Sequence, residues 1–259
     1  MSKSLQIFRI KSCWPTTFIN GIPLSDMLNP ENRIETKYDS FNKSTIKLDV
    51  PLIDFIFNFC EVAKLSSETA HSTLILFDYY MGHEKNLKKF DFQLVVMTCI
   101  FLCSKMWDIR PISLSILHKI SDHIYNNSMV LNCEKYLLNL FNFDIFIRDN
   151  LLIDRVGLYL ENIRNFMEEN DFVKFTLLCE NLVNLIFEDY KIIKKYNLDL
   201  LSASLIQAGF VIGTKREGKL PITIKLSIIS GVDENEVMKL SKKIIKFVLG
   251  KEIYKQFNF

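Results

Sequence analysis

The chain has 259 residues, 49% of them hydrophobic and 24% charged, so it can bury a large core as one large domain or two smaller ones. Its 32 basic and 30 acidic residues give a net charge of +2, which argues against a strongly electrostatic partner such as bulk nucleic acid. The longest apolar run, Leu94–Cys103, is shorter than the roughly 20 residues of a membrane span and predicts a buried core helix.

Cysteine and histidine usage predicts neither a disulfide framework nor a metal centre. The six cysteines include no C-x-x-C pair, and charged residues interrupt the apolar ones at Met1–Ile10, so we expect a reduced intracellular compartment. Cys99 and Cys103 lie one helical turn apart in the apolar run, where core packing is expected rather than metal binding. No histidine has metal-ligand spacing with cysteines or carboxylates, and we expect no cofactor.

The first helix is predicted to begin near Val50. Residues 1–45 are punctuated by proline and glycine, which predicts loops and short helical pieces. From Val50 an apolar stripe follows the helical period, and Pro51 suits the first turn. The stripe consists of Leu52, Phe55, Ile56, Phe59 and Val62.

Two further helices are expected next, and the second of them is predicted to be the centre of a bundle. Ser66 is a suitable N-cap for the second helix and Gly82 a suitable residue just beyond its end. Its predicted core face is Ala70, Leu74, Phe77 and Met81. The third helix, from about Asp91 to Trp107, is apolar nearly all round, so other helices must cover it on every side.

Two further helices complete the first half. Pro111 ends the central stretch, and Ser113 is expected to cap a short helix bearing Ile116, Leu117 and Ile120. Asn127 or Ser128 is expected to open a fifth helix that ends near Phe141. The pattern predicts five helices around a buried third one.

The second half shows the same order of segments. Its apolar stripes are Ile153, Val156, Leu160 and Ile163, then Phe175, Leu178, Leu182 and Leu185. Leu200–Val211 is apolar and rich in small residues, which suits a closely surrounded helix. Pro221 opens a short segment ending at Gly231, and Asp233-x-x-Glu236 predicts a capped final helix with Gly250 beyond its end.

Helical pattern and order therefore predict an all-α chain built as two five-helix units in tandem. The joint is expected near Ile147–Asn150, and strand signals are weak throughout. Sequence identity between the two halves is poor, so the repeat rests on pattern alone.

A set of short motifs from Lys64 to Ile145 gives the most specific signal in the chain. Lys105 ends the apolar central helix, and Glu134 lies in the fifth helix, which closes with Asn142-Phe143-Asp144-Ile145. Between these two residues run Asp108-Ile109-Arg110-Pro111 and Ile120-Ser121-Asp122-His123-Ile124-Tyr125. In this order and spacing the motifs resemble the cyclin box, most closely that of the mitotic A/B-type cyclins.

The resemblance implies an all-α fold of tandem five-helix cyclin-box domains with an N-terminal extension. Residues 1–45 would be the extension, 46–147 the first box and 148–259 the second, which is supported only by helical plan and length. It also implies a regulatory subunit without catalytic chemistry that binds and activates a cyclin-dependent serine/threonine kinase in cell-cycle control. The expected location is the nucleus and/or cytoplasm, with no membrane, nucleic-acid or small-molecule partner.

In the resembling family, the lysine–glutamate pair faces the kinase and apolar side chains surround it. The resemblance therefore assigns kinase binding to Lys105 and Glu134. The matching apolar contacts are Leu102, Met106, Leu138, Phe143 and Ile145. Without that context, Lys105 and Glu134 would be interpreted as an ordinary structural ion pair, and the apolar set as core.

Two departures from the family pattern leave alternatives open. Val50-Pro51-Leu52-Ile53-Asp54 replaces a Met-Arg-Ala-Ile-Leu motif that docks substrate peptides, and Met106-Trp107 follows Lys105 where an aromatic residue and acids are usual. The alternatives are a transcription-associated cyclin and a non-activating adaptor or scaffold of the same fold. A DNA-binding two-box protein is disfavoured because neither a zinc ribbon nor a basic face is visible.

Overall fold

The computed structural model describes residues 18–19, 22–23, 50–83, 89–143, 145, 151–214 and 221–250. These residues form an almost entirely α-helical structure, as predicted. The first helices are α1 (Val50–Val62), α2 (Ser67–His83), α3 (Lys89–Trp107), α4 (Leu114–Ile120) and α5 (Asn127–Leu140). The later ones are α6 (Leu152–Ile163), a 3-10 turn (Arg164–Phe166), α7 (Glu169–Phe187), α8 (Tyr190–Lys195), α9 (Leu198–Thr214), α10 (Pro221–Ser230) and α11 (Glu234–Leu249).

A short hairpin precedes the helices. Strands β1 (Phe18–Ile19) and β2 (Ile22–Pro23) pair antiparallel, with Phe18 opposite Pro23 and Ile19 opposite Ile22. Strand pairing here differs from the loops and short helical pieces expected for residues 1–45. The sequence contains a feature that could have predicted the pairing, because Asn20-Gly21 is a dipeptide that two-residue hairpin turns favour.

Helix α3 lies at the centre of the first group of helices, as its all-round apolar character predicted. Residues 95–104 are all buried, and α1, α2 and α5 pack around the helix. The predicted core face of α2 is buried as well, with Leu74 and Phe77 fully excluded from solvent. The central helix therefore has an exposed surface only near its ends.

Three side chains that were predicted to cap helices form the expected hydrogen bonds. The Ser66 hydroxyl accepts the Thr69 N–H at 3.2 Å, and the Ser113 hydroxyl accepts the Ile116 N–H at 3.4 Å. A carboxylate oxygen of Asp233 accepts the Asn235 N–H at 2.8 Å. These bonds satisfy backbone donors that have no partner within the helix.

One helix boundary was predicted correctly and one wrongly. Helix α5 begins at Asn127, as predicted, and its N-cap is Asn126, whose side chain accepts the Met129 N–H at 2.9 Å. Gly82 lies inside α2, which runs on to His83, so the glycine does not terminate that helix.

The buried face of α1 includes most of the predicted stripe and extends beyond it. Ile56 and Phe59 are buried as predicted, whereas Val62 is 77% exposed at the end of the helix. The other buried residues of α1 are Ile53 and Cys60. Since most positions of α1 are apolar, periodicity alone allows more than one face toward the core.

In the second group of helices, α9 occupies the central place. Residues 201–209 are all buried, and α6, α7, α10 and α11 pack around the helix. The short helix α8 was not predicted, because its six residues are too few to establish a helical period. At the end of α10, Gly231 has a φ of 66°, which suits glycine at a helix terminus.

Side chains of α2 bind the second group of helices directly. His71 Nε2 lies 3.0 Å from Asn184 Oδ1 on α7, and its ring stacks on Phe187 at 4.2 Å between centroids. Burial lowers the pKa of His71 to about 3, so the imidazole is neutral there. A second contact is the ion pair of Lys194 and Asp78, whose ammonium and carboxylate oxygen lie 2.6 Å apart. The predicted joint between the two units, residues 147–150, lies outside the described residues.

Candidate functional site

Lys105 and Glu134 meet at the surface where α3 ends against the middle of α5. Lys105 Nζ donates to Glu134 Oε1 at 2.5 Å, and the two side chains are 40% and 13% exposed. The ammonium also lies 3.7 Å from the centroid of the Phe101 ring, one turn earlier on α3. The ring face attracts a cation, so it holds the lysine against its helix. The structure thus joins two residues that are 29 positions apart in the chain.

The chemistry of this pair suits recognition better than stabilisation. An ion pair with an exposed partner contributes only about 0–1 kcal/mol to folding, because water already solvates the Lys105 ammonium. The ammonium has three N–H donors, one of which is used by Glu134, and a carboxylate accepts several hydrogen bonds. An exposed donor therefore lies beside a carboxylate acceptor that is mostly buried.

The end of α3 that carries Lys105 is fixed by Asp108. One carboxylate oxygen of Asp108 accepts the Ser66 N–H at 2.7 Å, and the other accepts the Thr69 hydroxyl at 2.7 Å. This carboxylate lies at the N-terminus of α2, where negative charge is favoured. The sequence did not reveal this role, although Ser66 was correctly predicted as the N-cap. Asp108 therefore ties the end of α3 to the start of α2.

The five apolar residues assigned to the site differ in their exposure. Leu102 is 3% exposed and belongs to the core, so its side chain presents almost no surface to a partner. Met106, Leu138 and Ile145 are half-buried, and the last two pack against the core. Phe143 is 66% exposed.

Phe143 is held outward by an unusual backbone. Its φ is 58° and that of the preceding Asn142 is 51°, in the left-handed region that bulky side chains rarely adopt. The Phe143 N–H donates to the Leu138 carbonyl at 2.7 Å, which closes the end of α5. Left-handed residues are common where a helix ends, and here this conformation accompanies an exposed aromatic side chain.

Leu131 joins this surface although the sequence comparison with the family did not assign it. It is 45% exposed and lies three residues before Glu134 and seven before Leu138, so the three share one face of α5. This helical spacing was the signal that would have found it. We call Lys105, Leu131, Glu134, Leu138 and Phe143 the α3–α5 surface.

The cysteines of α3 are core residues, as predicted. Cys99 and Cys103 are fully buried, and burial raises the pKa of the Cys103 thiol to about 12. Neither thiol is therefore an activated nucleophile. Within the described part of the chain, no cluster of three or more histidine, cysteine or acidic residues is arranged to hold a metal ion. In that same part, every helix is too short or too polar to cross a membrane.

Comparison with protein families identifies the domain that carries this surface. The model of the "Cyclin, N-terminal domain" family matches residues 26–146. This range contains α1 to α5 and all of the α3–α5 surface. A cyclin N-terminal domain is thus present in the chain.

Curated relatives are cyclins of the E and A types. The chain is 31% identical over 94 residues to the G1/S-specific cyclin-E of Drosophila melanogaster, which covers 36% of this chain and 13% of that protein. It is 30% identical over 139 residues to Cyclin-A2-1 of Arabidopsis thaliana, over 49% of this chain and 31% of that protein. The chain therefore spans less than a third of the length of either relative, and the specific likeness to A/B-type mitotic cyclins stays a prediction.

A solved structure shares the fold over most of the chain. The viral cyclin from herpesvirus saimiri superposes with a TM-score of 0.62 and covers 83% of this chain and 94% of that one. At 18% sequence identity the likeness establishes the fold alone.

Proposed function

From the cyclin N-terminal domain matched at residues 26–146, we propose that this chain is a regulatory subunit that binds and activates a cyclin-dependent serine/threonine kinase in cell-cycle control. The observation that carries the proposal is the ion pair of Lys105 and Glu134 at the exposed junction of α3 and α5. The E-type and A-type cyclins among the relatives support the cell-cycle assignment. The protein acts by binding, in the nucleus and/or cytoplasm, and has no reaction of its own.

The α3–α5 surface offers polar and apolar contacts together. The Lys105 ammonium donates to carbonyl groups and the Glu134 carboxylate accepts from N–H groups, such as those left unpaired near the end of a helix in the kinase. Phe143 and Leu131, both largely exposed, add apolar area beside these polar groups. Leu102 is not part of this contact because it is buried.

Binding at this surface would activate the kinase by shifting its conformational equilibrium. An active kinase requires a glutamate of its C-helix to pair with the active-site lysine. A subunit that packs on the inward position of that helix stabilises the active state by the difference in its affinity for the two states. A rigid docking surface is an advantage here, and Asp108 provides rigidity by fixing the end of α3.

The proposal is tested by recovering partners from an extract of the source cells. Tagged wild-type protein and the Lys105→Glu variant are used as baits, and the eluates are assayed for phosphorylation of a histone substrate. Arg164→Glu is the matched control, because Arg164 forms an ion pair with Glu169 at 2.6 Å on another exposed part of the protein.

We expect kinase activity in the wild-type and Arg164→Glu eluates and its loss with Lys105→Glu. A kinase that is bound by wild type but remains inactive would replace activation with an adaptor role. Equal recovery of active kinase by Lys105→Glu would refute the proposed docking surface.

A further inference from the structure

A cluster of lysines lies around Tyr196, far along the chain from the α3–α5 surface. Tyr196 lies between α8 and α9, and its ring packs partly against the core. Lys195 precedes it on α8, and Lys239 and Lys243 lie one turn apart on α11. All three lysines are at least partly exposed.

Contacts with Tyr196 place two of these charges beside its ring. Lys243 Nζ lies 3.0 Å from the Tyr196 hydroxyl, and the Lys195 and Lys243 ammonium groups lie 5.6 and 5.7 Å from its ring centroid. Because the phenol oxygen accepts from Lys243, the phenol proton is left to donate to a further group. The hydrogen bond from Lys243, with the charges of Lys195 and Lys239, lowers the pKa of Tyr196.

Among the described residues, no acid forms an ion pair with the lysines of this cluster. The acid that lies one turn before Lys239 on α11, Glu236, is not paired with it. Lys194, by contrast, is bound by Asp78. The acid that follows Tyr196 most closely, Asp199, is held by the Tyr159 hydroxyl and by Arg155 at 3.7 Å.

We propose that Tyr196, Lys195, Lys239 and Lys243 form a binding site for a phosphate monoester on a protein segment, such as a phosphorylated serine. Like charges one turn apart on a helix repel each other, and a bound dianion would relieve that repulsion. A phosphoryl group has three strong acceptor oxygens, which match the lysine ammonium groups and the phenol proton. The site is separate from the kinase-docking surface and does not rest on the proposed function.

A single phosphate fits this cluster better than a nucleic acid does. Nucleic-acid binding requires a track of phosphate contacts or a series of aromatic rings on which bases stack. Here the charges lie around one tyrosine, whose aromatic ring packs partly against the core. Only the polar end of Tyr196 is thus presented to the ligand.

The test uses the full chain and a short fluorescently labelled peptide of neutral sequence with one phosphoserine. Binding is followed by fluorescence anisotropy and compared with the same peptide without the phosphate. The site variant is Lys195→Ala/Lys239→Ala/Lys243→Ala. The control variant, Lys191→Ala/Lys242→Ala/Lys246→Ala, removes the same charge from other positions on the same two helices.

Wild type and the control variant are expected to bind the phosphorylated peptide at least about tenfold more tightly than the other peptide. The site variant should lose this preference, and Tyr196→Phe should weaken it several-fold. Circular dichroism melting shows whether the variants are folded.

Several results would overturn the proposal. One is an equal loss of binding in the site and control variants, which would indicate diffuse charge attraction. Others are no preference for the phosphorylated peptide, or tighter binding of a labelled single-stranded oligonucleotide. Displacement of the peptide by inorganic phosphate at equal concentration would assign the site to a free anion instead of a protein segment.

Discussion

Helices α3 and α9 each contain a continuous buried stretch at the centre of a group of helices, yet they differ in composition and in their last turns. Helix α3 is filled with large apolar side chains and carries Lys105 in its last turn, an exposed charge that is paired with Glu134. Helix α9 is rich in alanine, serine and glycine and ends at Gly213-Thr214, with no charged side chain in its last turn. Both centre a group of helices, but among the described residues the last turn of α3 carries an ion-paired charge and that of α9 does not.

The comparison shows that the features that form the fold differ from those that form the candidate site. A continuous buried stretch is sufficient to gather helices around it, whether the side chains are large or small. Recognition needs groups that stay at the surface in a fixed arrangement, and the residues proposed for this role lie near the end of α3. The family match to residues 26–146 covers α3 and not α9, in agreement with this distinction.

Breaking the contact between the two groups of helices should cause the largest loss of unfolding free energy. Because His71 is part of that contact, the stability of the protein should depend on pH. The pKa of His71 is about 3 in the folded chain, against 6.5 for a solvated histidine, so the unfolded chain takes up a proton first as the pH falls. Stability from this residue is complete above pH 6.5 and declines toward pH 3, by about 1.4 kcal/mol per pH unit. Urea unfolding from neutral pH to about pH 4 should therefore show a loss of about 3 kcal/mol from His71.

The variant His71→Gln isolates this contribution, because glutamine keeps an N–H donor for Asn184 but does not titrate. Other groups contribute to the pH dependence of both proteins, so the difference between the two curves is the measured quantity. Parallel curves for wild type and His71→Gln would contradict the assignment.

Substituting a glycine in the closely packed helix α9 should cause the second largest loss of unfolding free energy. A Cβ atom at Gly209 would lie 3.0 Å from Cys179 Sγ and 3.4 Å from a Leu182 methyl carbon. The Gly209→Val variant should therefore lose about 2 kcal/mol of unfolding free energy through overpacking. In Gly213→Val the added Cβ would lie 3.6 Å from Leu178, an ordinary contact, and the loss should stay below about 1 kcal/mol. Equal losses in denaturant unfolding would show that α9 does not need its small residues.

Removing the side-chain contacts that join α2 and α3 should cause a smaller loss of stability. Asp108→Ala removes the acceptor for the Ser66 N–H and the Thr69 hydroxyl, and should cost about 1–2 kcal/mol. Asp108→Asn keeps one carbonyl acceptor and should lose less. Thermal melting of the three proteins measures the order, and an Asp108→Ala protein as stable as wild type would show that the cap contributes little.

Much of the fold could be predicted from local signals because burial imposes a period on the sequence. The all-round apolar character of α3 indicated its central place, and the capping residues Ser66, Ser113 and Asp233 marked helix starts correctly. Boundaries set by tertiary contacts could not be predicted this way. Gly82 stays inside α2, and the core face of α1 is chosen by its neighbours.

The site could be predicted in part, and only through resemblance to a family. Spacing alone does not bring Lys105 to Glu134, because their contact depends on how α3 packs against α5. The roles of Asp108 and Leu131 depend on three-dimensional neighbours and on exposure, which the sequence does not state. The same limit explains why Leu102 was assigned to a contact surface although it is buried.

The central claim is that Lys105 and Glu134 recognise a kinase instead of only stabilising the fold. The most direct test is the affinity of a purified cyclin-dependent kinase for wild type, for Lys105→Glu, and for the charge-swapped Lys105→Glu/Glu134→Lys, measured by isothermal titration calorimetry. The swapped variant keeps an ion pair within the protein but exchanges the positions of the positive and negative charges that face the kinase. We predict stabilities within about 1 kcal/mol of wild type and an affinity at least about tenfold weaker for both variants. Recovery of wild-type affinity by the swapped variant would contradict the claim, since the pair would then be structural only.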